Sequence, residues 1–214
     1  MIKYEGIIFD LDGVICFTDE YHYQAWKKLA DRLGIYFDRE INNRLRGVSR
    51  MKSLEIILER ADREYTQEEK AAFAEEKNAL YRELLHNMSE SDLSEEVENT
   101  LHELREKGHR LAIGSSSKNA RFILERIGLG TFFDAVSDGN NISNSKPDPE
   151  VFVKAAEFLH LPAGKCLVVE DAKAGLEAAA AGGMDSAAIG DAVSSGMGTY
   201  DLASFSELLR VVEE

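Results

Sequence analysis

Residues 6–10 read Gly-Ile-Ile-Phe-Asp, an apolar run that ends on an acid, and comparable short runs recur at 110–114, 133–137, 165–169 and 185–189. Continuous apolar runs of this length, bounded by turn residues, are the pattern of strands buried on both faces. Between them, at 95–107, 118–127, 149–160 and 172–182, apolar positions take up the helical period. The alternation predicts an α/β fold, with a mostly parallel sheet covered by helices on both sides. In such folds ligands bind outside the carboxyl ends of the strands.

The segment 18–90 breaks this rhythm. It holds only Gly34 and Gly47 and no proline, whereas the other 14 of the 16 glycines and all three prolines lie outside it. A helical block is therefore inserted into a turn-rich chain, dividing it into 1–17 with 91–214 and an insertion over 18–90. Thr66-Gln-Glu-Glu69 reads as a capping box. Asp148-Pro149 places a cap before a first-turn proline, and Gly182-Gly183 stops the alanine-rich helix. The Gly/Ser-rich stretch 190–199 reads as a loop, followed by a short amphipathic helix.

Charge follows the same division. The 214 residues carry a formal charge of -14, yet residues 18–90 hold 13 Lys and Arg against 15 Asp and Glu, leaving -12 on the remainder. The overall balance excludes nucleic acid as the main partner. An anionic substrate would be gripped by the insertion, where basic groups concentrate. No run approaches the ~18 apolar residues of a membrane span, and Met1-Ile-Lys-Tyr-Glu5 reads as a mature cytosolic start. Cys16 and Cys166 lack metal-ligand spacing and read as reduced core residues.

Four acids stand at predicted strand ends, Asp10 and Asp12 after the first, Glu170 and Asp171 after the fourth. A single acid there is as readily a solvated turn former. Four at one edge repel one another unless a cation intervenes, and oxygen-only donors favour Mg²⁺. Ser115 ends the second strand and offers a hydroxyl; Lys146, before Pro147, offers an ammonium. Together these are the groups a transferring phosphoryl requires. Asp10 would be the nucleophile, and Asp12, across the turn at Gly13, the group that gives or takes the proton of the substrate oxygen.

Phe9-Asp10-Leu-Asp12-Gly-Val14, Gly114-Ser115-Ser-Ser117, Lys146-Pro147 and Val169-Glu170-Asp171 resemble, in order and spacing, the four motifs of the haloacid dehalogenase superfamily of phosphotransferases. The resemblance implies a Rossmann-like core, a helical cap inserted after the first motif and an Asp10 phosphoenzyme. It also implies Mg²⁺ held by Asp10, the Asp12 carbonyl and Asp171, with Glu170 at or near the metal. Response-regulator receivers share strand-end acids, a Ser or Thr, a Lys and Mg²⁺, but the long insertion and the Asp-x-Asp spacing count against them.

Within the insertion, His22 and Trp26 lie one helical turn apart beside an apolar face, where either residue is commonly a packing group. Lys77 falls in the apolar stripe of Phe73, Leu80 and Leu84, so it either snorkels or meets a specific anionic or hydroxyl partner. Arg46-Gly-Val-Ser-Arg50 alone would be a surface turn, although Arg50 offers a fork suited to phosphate. Glu20-Tyr-His22, Trp26, Gly47-Val48-Ser49-Arg50, Lys77-Asn78 and Ser117-Lys118-Asn119 together resemble the β-phosphoglucomutase branch of the superfamily. That resemblance implies that Arg50, Ser117, Lys118 and Asn119 hold the non-transferring phosphate and that His22 and Lys77 attend the reacting sugar hydroxyl. Trp26, Arg46, Gly47, Val48, Ser49, Asn78 and Ser116 would complete the sugar-phosphate site. Arg46 stands where that branch is expected to have lysine. The expected activity is exchange of phosphoryl between C1 and C6 of glucose by a monomeric cytoplasmic enzyme, the alternative being a Mg²⁺-dependent sugar-phosphate phosphatase.

Overall fold

The computed structural model describes residues 3–213. The first apolar run forms β1 (Gly6–Phe9), after which the chain leaves the sheet for four helices: α1 (Asp19–Arg32), α2 (Arg39–Asn43), α3 (Arg50–Leu58) and α4 (Gln67–Leu85). It then alternates as α5 (Glu95–Glu106), β2 (Arg110–Gly114), α6 (Ala120–Arg126), β3 (Ala135–Ser137), α7 (Glu150–Phe158), β4 (Cys166–Glu170), α8 (Lys173–Ala181), β5 (Asp185–Ile189), β6 (Tyr200–Leu202) and α9 (Leu208–Val211). The strands form one sheet in the order β3-β2-β1-β4-β5-β6, every pair parallel. The strand order reverses direction at β1, where such sheets open a crevice for ligands. Register sets the site: Phe9 pairs with Ile113 on one side and Val169 on the other, so Asp10, Gly114 and Glu170 follow in one row.

Alternate strand residues feed two separate cores, as period-2 geometry requires. Ile7, Phe9, Leu111, Ile113, Leu167 and Val169 pack on one face; Ile8, Ala112, Cys166 and Val168 pack on the other with Phe152 of α7. A third cluster lies wholly within residues 18–90, built on Trp26, Leu29, Phe37, Ile41, Leu54 and Ile57. At ~1.5–3 kcal/mol for each fully buried large apolar side chain, these helices have an apolar core of their own.

The capping box forms as expected, with Thr66 accepting from the Glu69 amide and Glu69 from the Thr66 amide. Asp148 accepts from the Glu150 amide at 2.9 Å, but Pro149 is itself the N-cap, and α7 starts at Glu150 rather than at the proline. Three elements depart from the sequence pattern. The 190–199 stretch opens with a 3₁₀ turn over Gly190–Ser195. It is followed by β6, three residues that are too few to show a period. Ser49, read as part of a surface turn, caps α3 by accepting from the Lys52 amide. Cys16 and Cys166 are both free and buried.

Candidate active site

Asp10 leaves β1 buried at 6% exposure, its amide bonded to the Val169 carbonyl at 3.0 Å. Lys146 binds its carboxylate Oδ1 through Nζ at 2.6 Å and reaches Glu170 Oε2 at 2.7 Å, all three residues buried. The other oxygen of Glu170, Oε1, accepts from the amides of Asp171 and Ala172 at 3.0 and 2.9 Å. Both Glu170 oxygens thus meet protein donors. Among the described residues, one carboxylate oxygen each from Asp10, Glu170 and Asp171 lie within 4.8 Å of one another. The turn beneath them is tight. Gly13 has φ +88, and a β carbon there would stand 2.1 Å from Asp171 Oδ2.

The electrostatics of this cluster are unbalanced. Burial, with Glu170 and Asp12 nearby, pushes the Asp10 carboxyl up to about 7 in spite of Lys146. Burial, then Glu170 and Asp10, push Asp171 up to about 9. Burial works against the charge on Lys146, but Asp10 and Glu170 outweigh it and hold the ammonium protonated. One ammonium faces three carboxyls, a deficit of positive charge at a site made of oxygen donors.

Asp12 is served from the inserted helices. Its Oδ1 accepts from the Thr18 hydroxyl, which in turn accepts from the Tyr81 hydroxyl at 3.1 Å. Burial raises the Asp12 carboxyl, and the Thr18 hydrogen bond opposes that rise. Tyr81 stacks on His22 with ring centroids 4.0 Å apart. Lys77 of α4 is 3% exposed, with Nζ 2.8 Å from His22 Nδ1 and 4.8 and 4.3 Å from the centres of Trp26 and Tyr81. Lys77 does not snorkel, and the partner its Nζ meets is the His22 ring nitrogen, neither the anion nor the hydroxyl expected. Arg50 is partly buried, with Glu75 at 3.5 Å as its ion-pair partner.

Past β2 the backbone folds over its own hydroxyls. Ser115 Oγ accepts from the Ser117 amide at 3.2 Å and Ser117 Oγ from the Asn119 amide at 3.1 Å. Ser116 Oγ is buried without a partner among the described residues. Lys118 is exposed. Asn119 reaches across to α4, donating to Asn78 Oδ1 at 3.0 Å and accepting from Arg82 at 3.4 Å. Arg46 is paired with Asp19 and Asp191.

A single cavity of about 770 Å³ gathers these groups. Its wall includes Asp10, Asp12, Ser115, Ser116, Ser117, Lys118, Asn119, Lys146 and Asp171 from the sheet side, and His22, Trp26, Arg46, Gly47, Val48, Ser49, Arg50, Lys77 and Asn78 from the inserted side. Glu170 sits behind that wall at 0% exposure. Thr18, Tyr81, Asp19, Arg82 and Asp191 were not singled out by sequence. Tyr81 had a signal, four residues after Lys77 on the same helical stripe; Asp191 lay in an uninformative loop.

A cavity of this size, with a paired buried carboxylate, a second carboxylate on a hydroxyl relay and cations at the opposite wall, is suited to moving an anionic group between a protein oxygen and a hydroxyl. Comparison with known proteins agrees in kind. The chain is 39% identical over 188 residues to β-phosphoglucomutase of Bacillus subtilis (strain 168), covering 87% of this chain and 83% of that protein. It is 31% identical over 183 residues to the fructose-1-phosphate phosphatase of Escherichia coli (strain K12), covering 86% and 95%. The crystal structure of a β-phosphoglucomutase from Clostridium difficile superposes with a TM-score of 0.91 at 36% identity, covering 96% of this chain and 93% of that one. The family model for haloacid dehalogenase-like hydrolases matches residues 4–183, and the chain belongs to that family.

Proposed function

We propose that this enzyme interconverts β-D-glucose 1-phosphate and glucose 6-phosphate through β-glucose 1,6-bisphosphate. The observation that carries the reading is the shared wall of one cavity: phosphoryl-transfer groups on the sheet side face His22, Arg50 and Lys77 on the inserted side. Residues 18–90 act as a cap over a core formed by 1–17 and 91–214, a division supported by the cap's own apolar cluster.

The acids fit a hard divalent cation, because three oxygen donors converge within 4.8 Å and a single lysine leaves them under-neutralised. Mg²⁺ would be held by Asp10, Asp171 and the main-chain carbonyl of Asp12, with Glu170 at or near the metal. When bound it supplies charge stabilisation for the transferring phosphoryl.

Phosphorylated Asp10 gives its phosphoryl to the C6 hydroxyl of β-glucose 1-phosphate. The Asp10 oxygen–phosphorus bond breaks, the sugar O6–phosphorus bond forms and the Asp12 carboxylate takes the hydroxyl proton. The bisphosphate turns over. Asp10 then attacks the phosphoryl on O1, and protonated Asp12 returns its proton to the departing O1, restoring the phosphoenzyme and releasing glucose 6-phosphate. Lys146 holds the Asp10 carboxylate in line, and the Thr18 hydroxyl orients that of Asp12. Arg50, Ser117, Lys118 and Asn119 grip whichever phosphate is not transferring, and His22 and Lys77 attend the reacting hydroxyl. Closure of the cap keeps water from the aspartyl phosphate.

The likeness to the fructose-1-phosphate phosphatase supports a second reading, hydrolysis of a sugar phosphate by the same Asp10 intermediate. Intact-mass measurement after exposure to Mg²⁺ and β-glucose 1,6-bisphosphate tests the common step. A hydroxylamine-sensitive phosphoryl adduct, lost in Asp10→Asn, is expected; an adduct that survives in Asp10→Asn refutes the assignment.

A further inference from the structure

Arg46, the one departure from the lysine expected at its position, uses all three guanidinium nitrogens. Nε and Nη2 fork onto Asp19 Oδ1 and Oδ2 at 3.3 and 3.4 Å, while Nη1 pairs with Asp191 Oδ2. Asp19 opens α1, and Asn42 Nδ2 fixes it from behind at 3.0 Å. Asp191 belongs to the opposite body, in the 3₁₀ turn that follows β5. Asn42, Asp19, Arg46 and Asp191 therefore form a polar chain from cap to core, and all four line the cavity. An ammonium is a point charge and has no second arm with which to span two carboxylates while forking one of them.

The segment that follows Arg46 connects this pair to substrate. Gly47, at φ +72, approaches Ala172 so closely that a β carbon would stand 3.2 Å from that residue's own, beside Asp171. Four residues after Arg46, Arg50 begins α3 at the cavity wall. Holding Arg46 to Asp191 thus holds Gly47 to Arg50 against the phosphoryl-transfer edge of the sheet.

Resting on the mutase reading above, we propose that Asp191 is a positioning residue that acts through Arg46. The pair clamps residues 46–50 over the cavity while Asp10 carries its phosphoryl, and so favours transfer to a sugar hydroxyl over transfer to water. The Asp191 side chain is 80% exposed, so salt screens the clamp. An exposed pair of this kind changes a ratio by about 2–5-fold.

The test is ³¹P NMR of the full chain with Mg²⁺, β-glucose 1-phosphate and β-glucose 1,6-bisphosphate, recording glucose 6-phosphate and inorganic phosphate at low and high salt. Asp191→Asn should raise the phosphate released per isomerisation by about 2–5-fold at low salt and raise KM for the bisphosphate, with kcat nearly retained. Asp191→Glu should restore the wild-type ratio. At high salt the wild type should converge on Asp191→Asn, whose ratio is insensitive to salt. Arg46→Lys should raise the phosphate released per isomerisation as Asp191→Asn does, whatever it costs in turnover, and the double variant should raise it no further. An Asp191→Asn enzyme with wild-type ratio, KM and salt response overturns the proposal alone, as does an effect equal at both salts. A wild type that makes only inorganic phosphate overturns the mutase reading and the proposal with it.

Discussion

Lys77 Nζ lies 2.8 Å from His22 Nδ1, inside an aromatic wall made by Trp26 and Tyr81. With Nζ as the donor, Nδ1 accepts and the remaining N–H of His22 sits on Nε2. Burial, then Lys77 and Arg50, hold the imidazole well below its ordinary pKa. Burial and Arg50 lower Lys77 as well, against the pull of Asp12. The cap thus presents a neutral imidazole beside a buried amine with lowered proton affinity.

His22 stays neutral in the folded chain, while in the unfolded chain it titrates near ~6.5. The unfolded state then binds the extra proton, so stability is full above about 6.5 and falls as the pH drops from there toward the folded value. His22→Gln should flatten that acid limb. Urea unfolding at successive pH values checks it, and an unchanged pH slope in the variant contradicts the assignment of a neutral buried histidine.

A buried cation held with few countercharges costs stability that an apolar side chain would not. Lys77→Met should raise Tm by roughly 2–4 °C while lowering isomerisation by about 10²-fold. Calorimetry beside a turnover assay reads both. A fall in Tm would mean that Lys77 contributes more to the cap's packing than its burial costs.

Gly175 of α8 lies under Glu170, where a β carbon would stand 1.9 Å from Oε2. That oxygen is held by Lys146, and its partner Oε1 by the amides of Asp171 and Ala172. Gly175→Ala should therefore displace a carboxylate that touches no substrate, weakening Mg²⁺ affinity by about 10–100-fold with little change in helix content. Titration of turnover with Mg²⁺, beside circular dichroism, measures it.

Arg50 reaches the cavity with Glu75 as its ion-pair partner at 3.5 Å, and burial lowers its proton affinity, as suits a guanidinium awaiting an anion. Arg50→Ala should cost isomerisation about 10²-fold and leave the phosphorylation of Asp10 by a small acyl phosphate nearly intact. Near-normal isomerisation would remove Arg50 from the phosphate grip.

The sheet and its acids were legible because each depends on local pattern. A buried apolar run followed by Asp10, or by Glu170 and Asp171, names both the strand and the edge where its acids gather. Lys146 and Ser115 were legible for the same reason, standing at punctuated positions beside Pro147 and Gly114. The cap was legible as a block, but α2 and α3 were not, since five and nine residues carry little period and tertiary contacts decide them. Long-range partners left still less trace. Thr18 is one threonine before a helix until Asp12 is seen to accept its hydrogen bond, and Asp191 is one acid in a polar loop until Arg46 reaches across to meet it.

On this reading the cap delivers the phosphoryl of Asp10 to a sugar hydroxyl rather than to water. ³¹P NMR of the purified protein with Mg²⁺, β-glucose 1-phosphate and a trace of β-glucose 1,6-bisphosphate tests it most directly. Conversion to glucose 6-phosphate with little inorganic phosphate is the predicted result. Inorganic phosphate accumulating as fast as glucose 6-phosphate, or in its place, would contradict it and make the enzyme a sugar-phosphate phosphatase.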